Sequence, residues 1–183
     1  MNVLVVSSSP NKEGLTAACA QAATEAIRAA GQQAEELRLN EYDLRLCRAC
    51  GNGWGTCREE HRCAQDDAFP ELHRRFIAAE GYVLVTPVYW GDPSESMKAF
   101  TDRLRRCEAA RADKPGAIAG KPVLVVAAAG GSGNGTVHCL DTLERWIQHV
   151  GARKTDFIGV TRFTRSFKLQ QIAEAAAAMA HGL

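Results

Sequence analysis

Apolar and polar positions along this chain fall in blocks rather than alternating residue by residue. Val3 to Val6 form a short β-branched run that stops at the polar turn "SSSP", the pattern of a strand buried on both faces. After "SSSPNKEG", Leu15, Cys19, Ala22, Ala26 and Ile27 recur at helical spacing, and Gly31 stands where a helix stop belongs. "AEELRL" predicts a second strand. "DDAFPELHRRFIAAEG" predicts a helix with Asp66 and Asp67 at its mouth, and "YVLVTPVYW" a third strand running into a loop. "PSESMKAFTDRLRRC" places Met97, Phe100, Leu104 and Cys107 on one helical face. "KPVLVVAAAGGSGNG" reads as a fourth strand ending in a glycine-rich loop. "TVHCLDTLERWIQHVGA" is a helix, "KTDFIGVTRF" a fifth strand, and the alanine-rich tail from Lys168 a last helix.

Strands that alternate with helices, each apolar nearly throughout, predict an α/β fold with a parallel sheet covered on both faces. Ligands of such sheets sit beyond the carboxyl ends of the strands. Three loops leave strand ends with unusual chemistry: "SSSPNKEGLT", "TPVYWGD" and "AAAGGSGNGT". All three are expected on one edge of the sheet.

Composition narrows the function classes. The 183 residues predict one domain over 1–183, with a cysteine-rich loop at 45–65. A net charge of +1, with no basic stripe on any predicted element, argues against nucleic acid as a partner. The apolar runs are too short to span a bilayer, and the N-terminus shows no basic leader. The expectation is a cytoplasmic protein with no membrane partner. Seven cysteines in a reducing compartment are expected as free thiols, metal ligands or redox groups rather than structural disulfides.

The first loop has the makings of a phosphate cradle. Ser7, Ser8, Ser9, Thr16, Asn11 and Lys12 surround a helix start, where unpaired N–H groups and the helix dipole favour an anion. It carries neither the Gly-Lys-Ser/Thr of a P-loop nor the G-x-G-x-x-G dinucleotide fingerprint, and a helix cap with spare serines explains it as well. Tyr89 and Trp90 in the second loop suit a flat heteroaromatic ring, or packing under a crossover or interface. The glycines of the third loop let backbone approach a ring closely, or form a plain turn. His138, in the helix that follows, is assigned no role.

Together "SSSPNKEGLT", "TPVYWGDPSESMKAFTDR" and "AAAGGSGNG" resemble the flavodoxin-like NADPH-dependent FMN reductases, and among them most closely the iron–sulfur flavoproteins. The resemblance covers most of the chain in the right order. It implies a flavodoxin-like three-layer sandwich around a five-stranded parallel sheet of order 2-1-3-4-5. It implies that Ser9, Asn11, Gly14, Leu15 and Thr16 surround the FMN phosphate. Pro87, Val88, Tyr89 and Trp90, with Gly130, Gly131 and Ser132, would then border the isoalloxazine. It further implies a homodimer or homotetramer. Two departures stand out: the family often has arginine at the place of Asn11 and asparagine at that of Leu15. Leu15 still offers its backbone N–H but not the side-chain contact, so the expectation is weaker phosphate binding and exchangeable FMN. Asp102 and Arg103 match the family and read as structural, an ion pair or a cap.

The stretch "CRACGNGWGTCREEHRC" leaves several readings open. Cys47, Cys50, Cys57 and Cys63 could ligate an iron–sulfur cluster. The spacing Cys47-x2-Cys50-x6-Cys57-x5-Cys63 departs from the tight run of the iron–sulfur flavoproteins, with "GNGWG" filling the gap. Zinc would prefer two short pairs. A redox dithiol at Cys47 and Cys50 beside Arg48 is a third reading, and a loop without metal a fourth. Cys19, Cys107 and Cys139 fall on apolar helix faces and read as core residues. Asp66 and Asp67 read as capping groups, since neighbouring helical side chains point apart.

The function expected is an FMN-dependent oxidoreductase that takes electrons from NAD(P)H and passes them to a flavin, a quinone or a protein acceptor. No side chain is assigned as acid, base or nucleophile, because the cofactor carries the chemistry. The rivals are an iron–sulfur or flavodoxin-like electron carrier and a non-enzymatic metal or redox sensor. Dedicated carriers are usually acidic, unlike this chain. A phospho-receiver is disfavoured by strand ends without acidic residues.

Overall fold

A computed structural model describes residues 1–109 and 115–182; positions 110–114 and 183 of the expected domain lie outside them. The strands are β1 (Asn2–Ser7), β2 (Gln33–Arg38), β3 (Gly81–Tyr89), β4 (Asp92–Pro93), β5 (Pro122–Ala129) and β6 (Arg153–Thr161). The helices are α1 (Leu15–Ala29), α2 (Thr56–Glu59), α3 (Phe69–Ala78), α4 (Glu95–Cys107), α5 (Thr136–Val150) and α6 (Arg165–Ala180). The long strands run parallel in the order β2-β1-β3-β5-β6, the doubly wound flavodoxin-like arrangement. With the long strands alone counted, this is the expected order. The sixth strand is a two-residue antiparallel partner that β4 offers to the end of β3, pairing Val88 with Pro93 and Tyr89 with Asp92. The four-residue α2, inside the cysteine-rich loop, is also additional to the predicted elements.

Side-chain alternation along the central strands builds two cores. Leu4, Val6, Tyr82, Leu84, Val123 and Val125 face α3, α4 and α5 and pack with Phe69, Phe76, Phe100 and Trp146. Val3, Val5, Val83, Val85, Leu124 and Val126 face α1 and α6. Successive residues of a strand point to opposite faces, so a continuous apolar run is what a two-sided sheet requires. The α1/α6 side is lined with small residues, Ala20, Ala23 and Ala176 among them. The opposite side is aromatic, with Phe100 edge-on to Phe69 and Phe76 at centroid distances of 5.9 and 5.5 Å.

Two features of the core serve the edge where the strands end. Ser8 donates its N–H to Val85 O at 3.1 Å. Ser94 donates its hydroxyl to Ser8 Oγ at 2.8 Å, and its N–H to Thr86 Oγ1 at 3.1 Å. These buried hydroxyls bind the loop after β1 to the loop after β3. Ser94 also caps α4, accepting from Met97 N. Truncation of Phe100 to alanine is expected to destabilise by about 3–5 kcal/mol, read as a lower denaturant midpoint with an unchanged slope. A loss under about 1 kcal/mol would contradict the central packing role given to this ring.

Candidate functional site

The carboxyl edge of the sheet carries an open cleft of about 730 Å³. Val88, Trp90, Gly91 and Asp92 form one wall, the loop from Ala129 to Gly135 a second, and His138, Thr142 and Arg145 of α5 a third. Of the residues expected to border a flat ring, Val88, Trp90, Gly130, Gly131 and Ser132 line this cleft. Pro87 and Tyr89 sit on β3 beside it and contribute no lining. His138, assigned no role from sequence, is on the wall, as are Asp92, Asn134, Thr142 and Arg145. No spacing signal in the sequence marks these α5 residues.

Backbone conformation shapes the cleft. Trp90 has φ +54° and Gly91 φ +88°, a left-handed pair that turns the chain back into β4. For tryptophan that conformation is strained, yet its ring lies fully exposed at the lip. Gly135, at φ +84°, approaches the facing loop so closely that a Cβ would stand 2.8 Å from Gly91 Cα. Glycine is therefore required there by contact between two backbones. Gly130 and Gly131 are different: a Cβ on either would meet nothing within 4 Å. They border empty space, which a planar ligand can occupy.

The loop after β1 lies at the same edge but outside the lining of this cleft. Ser7, Ser8, Ser9 and Thr16 are buried. Asn11 accepts from Glu13 N through Oδ1 at 2.9 Å and donates its own N–H to Ser9 Oγ at 3.2 Å, so its carbonyl oxygen folds back on the loop. Lys12, read as a cation of the cradle, pairs instead with Glu41 at 3.2 Å. Gly14 precedes α1 without a side-chain cap, which leaves the first-turn N–H groups of Leu15 and Thr16 for an anion. The open space at Gly130 and Gly131 and this uncapped helix start fit the ring and the phosphate of FMN.

The cysteine-rich loop folds against α4. Cys47, Cys50, Cys57 and Cys63 line one small pocket of about 20 Å³ with Cys107, Gln65, Arg103 and Arg106. Arg103 is 1% exposed. Its Nη1 and Nη2 clamp both Asp67 carboxylate oxygens, Nη2 to Oδ1 at 2.9 Å. Nη1 also donates to Arg45 O at 3.1 Å, and Nη2 to Cys63 Sγ at 3.2 Å. Arg106 donates to Gly53 O and stacks on Trp54 at 5.0 Å. The two arginines hold the two arms of the loop.

Asp67 is thus more than a cap. Its Oδ1 does accept from Phe69 N at 3.1 Å, but its main partner is Arg103. Asp102 takes Lys98 one turn away, so Arg103 pairs across the fold rather than with its neighbour. Burial would raise the Asp67 carboxyl; the hydrogen bond from Arg103, those from Arg45 N and Phe69 N, and the Arg103 charge outweigh it and hold the group below 3.8. Cys107 belongs to the core, as expected, and burial together with Cys57 and Cys63 pushes its thiol up. Cys19 and Cys139 are buried too, with thiols pushed up to about 12.

The donors suit a thiolate-ligated cluster in kind. Four loop thiols share a pocket with two guanidinium groups whose Nε–H atoms are buried without an acceptor, and an anionic group would satisfy them. Among the described residues no three Cys, His, Asp or Glu side chains converge as a metal-binding group, so the four thiols in this arrangement do not fit a cluster. In the loop's turn Ala49, Gly51, Asn52 and Gly53 have positive φ.

The fold and the cleft define a flavodoxin-like protein with a cofactor-sized site at the strand ends. The family described as NADPH-dependent FMN reductase matches residues 1–155, and the chain belongs to that family. It is 33% identical over 105 residues to an iron–sulfur flavoprotein of Methanocaldococcus jannaschii, covering 57% of this chain and 52% of that protein. It is 31% identical over 120 residues to an iron–sulfur flavoprotein of Methanosarcina thermophila, covering 64% and 61%. The matches thus span about half to three-fifths of those relatives' length. An NAD(P)H:quinone oxidoreductase from Methanothermobacter marburgensis has the same fold, with TM-score 0.76, 18% identity, and coverage of 98% of this chain and 96% of that one. No helix among the described residues is long and apolar enough to cross a membrane.

Asp67→Asn tests the buried pair. The pair's contribution is full above the ordinary carboxyl value of 3.8 and is lost as pH falls through the lower folded value. The variant is expected to be less stable near neutrality by about 3–5 kcal/mol, with the gap to wild type closing as pH falls below 3.8. Denaturant titration across that range reads it. A gap independent of pH would contradict the assignment.

Proposed function

We propose that this protein is an FMN-dependent oxidoreductase that accepts electrons from NAD(P)H and delivers them to a flavin, a quinone or a protein acceptor. The observation that carries the reading is the empty space at Gly130 and Gly131 facing the strained turn at Trp90 and Gly91. In this reading Val88, Trp90 and the Gly130–Ser132 backbone border the ring, and the N–H groups of Leu15 and Thr16 hold the phosphate with the Ser9 hydroxyl. Bound FMN supplies hydride acceptance and stepwise electron release. The chain's part is to fix the ring, shield one side of it and leave the lip at Trp90 accessible. Asn11, turned back on its loop, adds no carbonyl contact to a phosphate, in keeping with exchangeable FMN. A homodimer or homotetramer would place other groups at the exposed lip.

The loop thiols add no iron–sulfur cluster to this reading, because Cys47, Cys50, Cys57 and Cys63 in this arrangement do not fit one. The hydrogen bond that Arg103 Nη2 donates to Cys63 Sγ at 3.2 Å favours a sulfur site with a use over an idle loop.

Oxidation of NADH or NADPH by the FMN-loaded protein, with flavin and quinone acceptors, is the direct test. Turnover with either nicotinamide is expected; binding of FMN without turnover would leave the electron carrier as the better account. Gly131→Val, whose Cβ meets no protein atom within 4 Å, is expected to weaken FMN binding at least tenfold while leaving the melting temperature of the FMN-free protein unchanged. Equal FMN affinity in the variant would remove Gly131 from the ring site.

A further inference from the structure

The turn that folds β3 onto β4 carries a residue its geometry disfavours. Tyr89 pairs with Asp92, so Trp90 and Gly91 form a two-residue hairpin turn, and their φ values are +54° and +88°. Asn-Gly and Asp-Gly are the pairs that such a turn favours, and a bulky residue at its first position is strained. The turn itself is well held. Gly135 abuts Gly91 backbone to backbone, and a Cβ on Gly91 would stand 3.6 Å from His138 Cβ. The indole is not held at all: among the described residues it is the most exposed of the large apolar side chains. An indole contributes more when buried than nearly any other side chain. The fold therefore carries strain at this position and recovers no burial from it.

A ligand in the cleft is what the indole is placed to meet. Trp90 lines the cleft, and the space that borders Gly130 and Gly131 is open. Near the indole the wall is polar, with Asp92, Asn134, Thr142 and Arg145. Such a setting suits a flat ring, which stacks on the indole face while its polar edge finds hydrogen-bond partners. A contact with a second copy of the chain would call for an apolar surface around the indole instead.

We propose that Trp90 is the stacking residue for the second substrate, covering the flat ring of the nicotinamide and then that of a quinone as each reacts in the cleft. The inference rests on the oxidoreductase reading above and adds to it the residue that selects planar partners. The chemistry is that of the reading: NAD(P)H, one proton and a quinone become NAD(P)+ and a hydroquinone, with two electrons passing by way of FMN. Trp90 supplies neither proton nor electron. A firm turn with a free ring suits the task, because an exposed side chain changes rotamer within nanoseconds while the backbone keeps its place.

The experiment compares the FMN-loaded full chain with Trp90→Asn, which suits the turn, and Trp90→Phe, which keeps a ring. In Trp90→Asn, KM for NADH or NADPH and KM for menadione are each expected to rise about tenfold, with kcat changed far less. Calorimetry with NAD+ and NADP+ in turn is expected to show the same loss of affinity without turnover. Trp90→Phe is expected to recover most of both. The FMN-free Trp90→Asn protein is expected to melt about 2–4 °C higher, since the strain is relieved and no packing is lost.

Wild-type protein that binds no FMN, or turns over neither nicotinamide, would overturn the oxidoreductase reading and this inference with it. Normal turnover with KM and dinucleotide affinity unmoved in Trp90→Asn would overturn the inference alone. So would a tenfold loss of FMN affinity in that variant, which would give the indole to the cofactor. Dissociation of a wild-type oligomer by Trp90→Asn, read by light scattering, would give it to a second copy and likewise sink the proposal. A lower melting point would contradict the strain argument on which the proposal stands.

Discussion

Three central strands, β1, β3 and β5, are covered on both faces and run in the same direction. Nearly everything else follows from that constraint. A strand buried on two sides must be apolar throughout and must spend its backbone groups on its neighbours. Polar chemistry is therefore pushed to the ends, and parallel direction gathers the loops after all three strands on one edge. The buried hydroxyls of Ser8, Thr86 and Ser94 then set two of these loops against each other. Gly135 lets the third touch the second backbone to backbone. The cleft is what remains between loops brought together in this way.

A second constraint acts through α4. Its N-terminus is capped by Ser94 at the cleft, and its C-terminal turns present Arg103 and Arg106 to the cysteine-rich loop. One rigid helix thus relates the cleft to the thiol pocket. Burying a guanidinium costs more than most interactions return unless every donor is matched. Asp67, Arg45 O and Cys63 supply most of that match, and the Nε–H remains unmatched. The loop is ordered by charge more than by apolar packing, since Cys57 and Cys63 are only partly buried against the core.

Much of this was legible in the residues themselves. The long strands announced themselves as apolar runs, and the helices from α3 to α5 as amphipathic stripes, because burial leaves a periodic trace. Elements without periodicity did not: β4 is two residues and α2 four. The first turn of α6, which opens Arg165-Ser166-Phe167 ahead of the alanine-rich tail, adds three residues to a helix expected from Lys168. At the site, glycines and aromatics marked the ring-facing loops, but Pro87 and Tyr89 proved to stand beside the cleft and Lys12 to face Glu41. The pairing of Asp67 with Arg103 joins residues 36 apart in sequence, and no local pattern encodes such a contact. The same holds for His138 and Arg145, whose place on the cleft wall depends on how α5 is laid across the sheet.

The most direct measurement is the absorption spectrum of protein purified without oxygen and supplied with FMN, taken with iron and acid-labile sulfide analysis. The account predicts a bound flavin spectrum at about one FMN per chain, without the broad visible band that accompanies iron and sulfide. Flavin together with iron and sulfide would keep the cleft assignment and contradict the reading of the thiol pocket. Protein that binds no FMN when it is offered in excess would contradict the central claim.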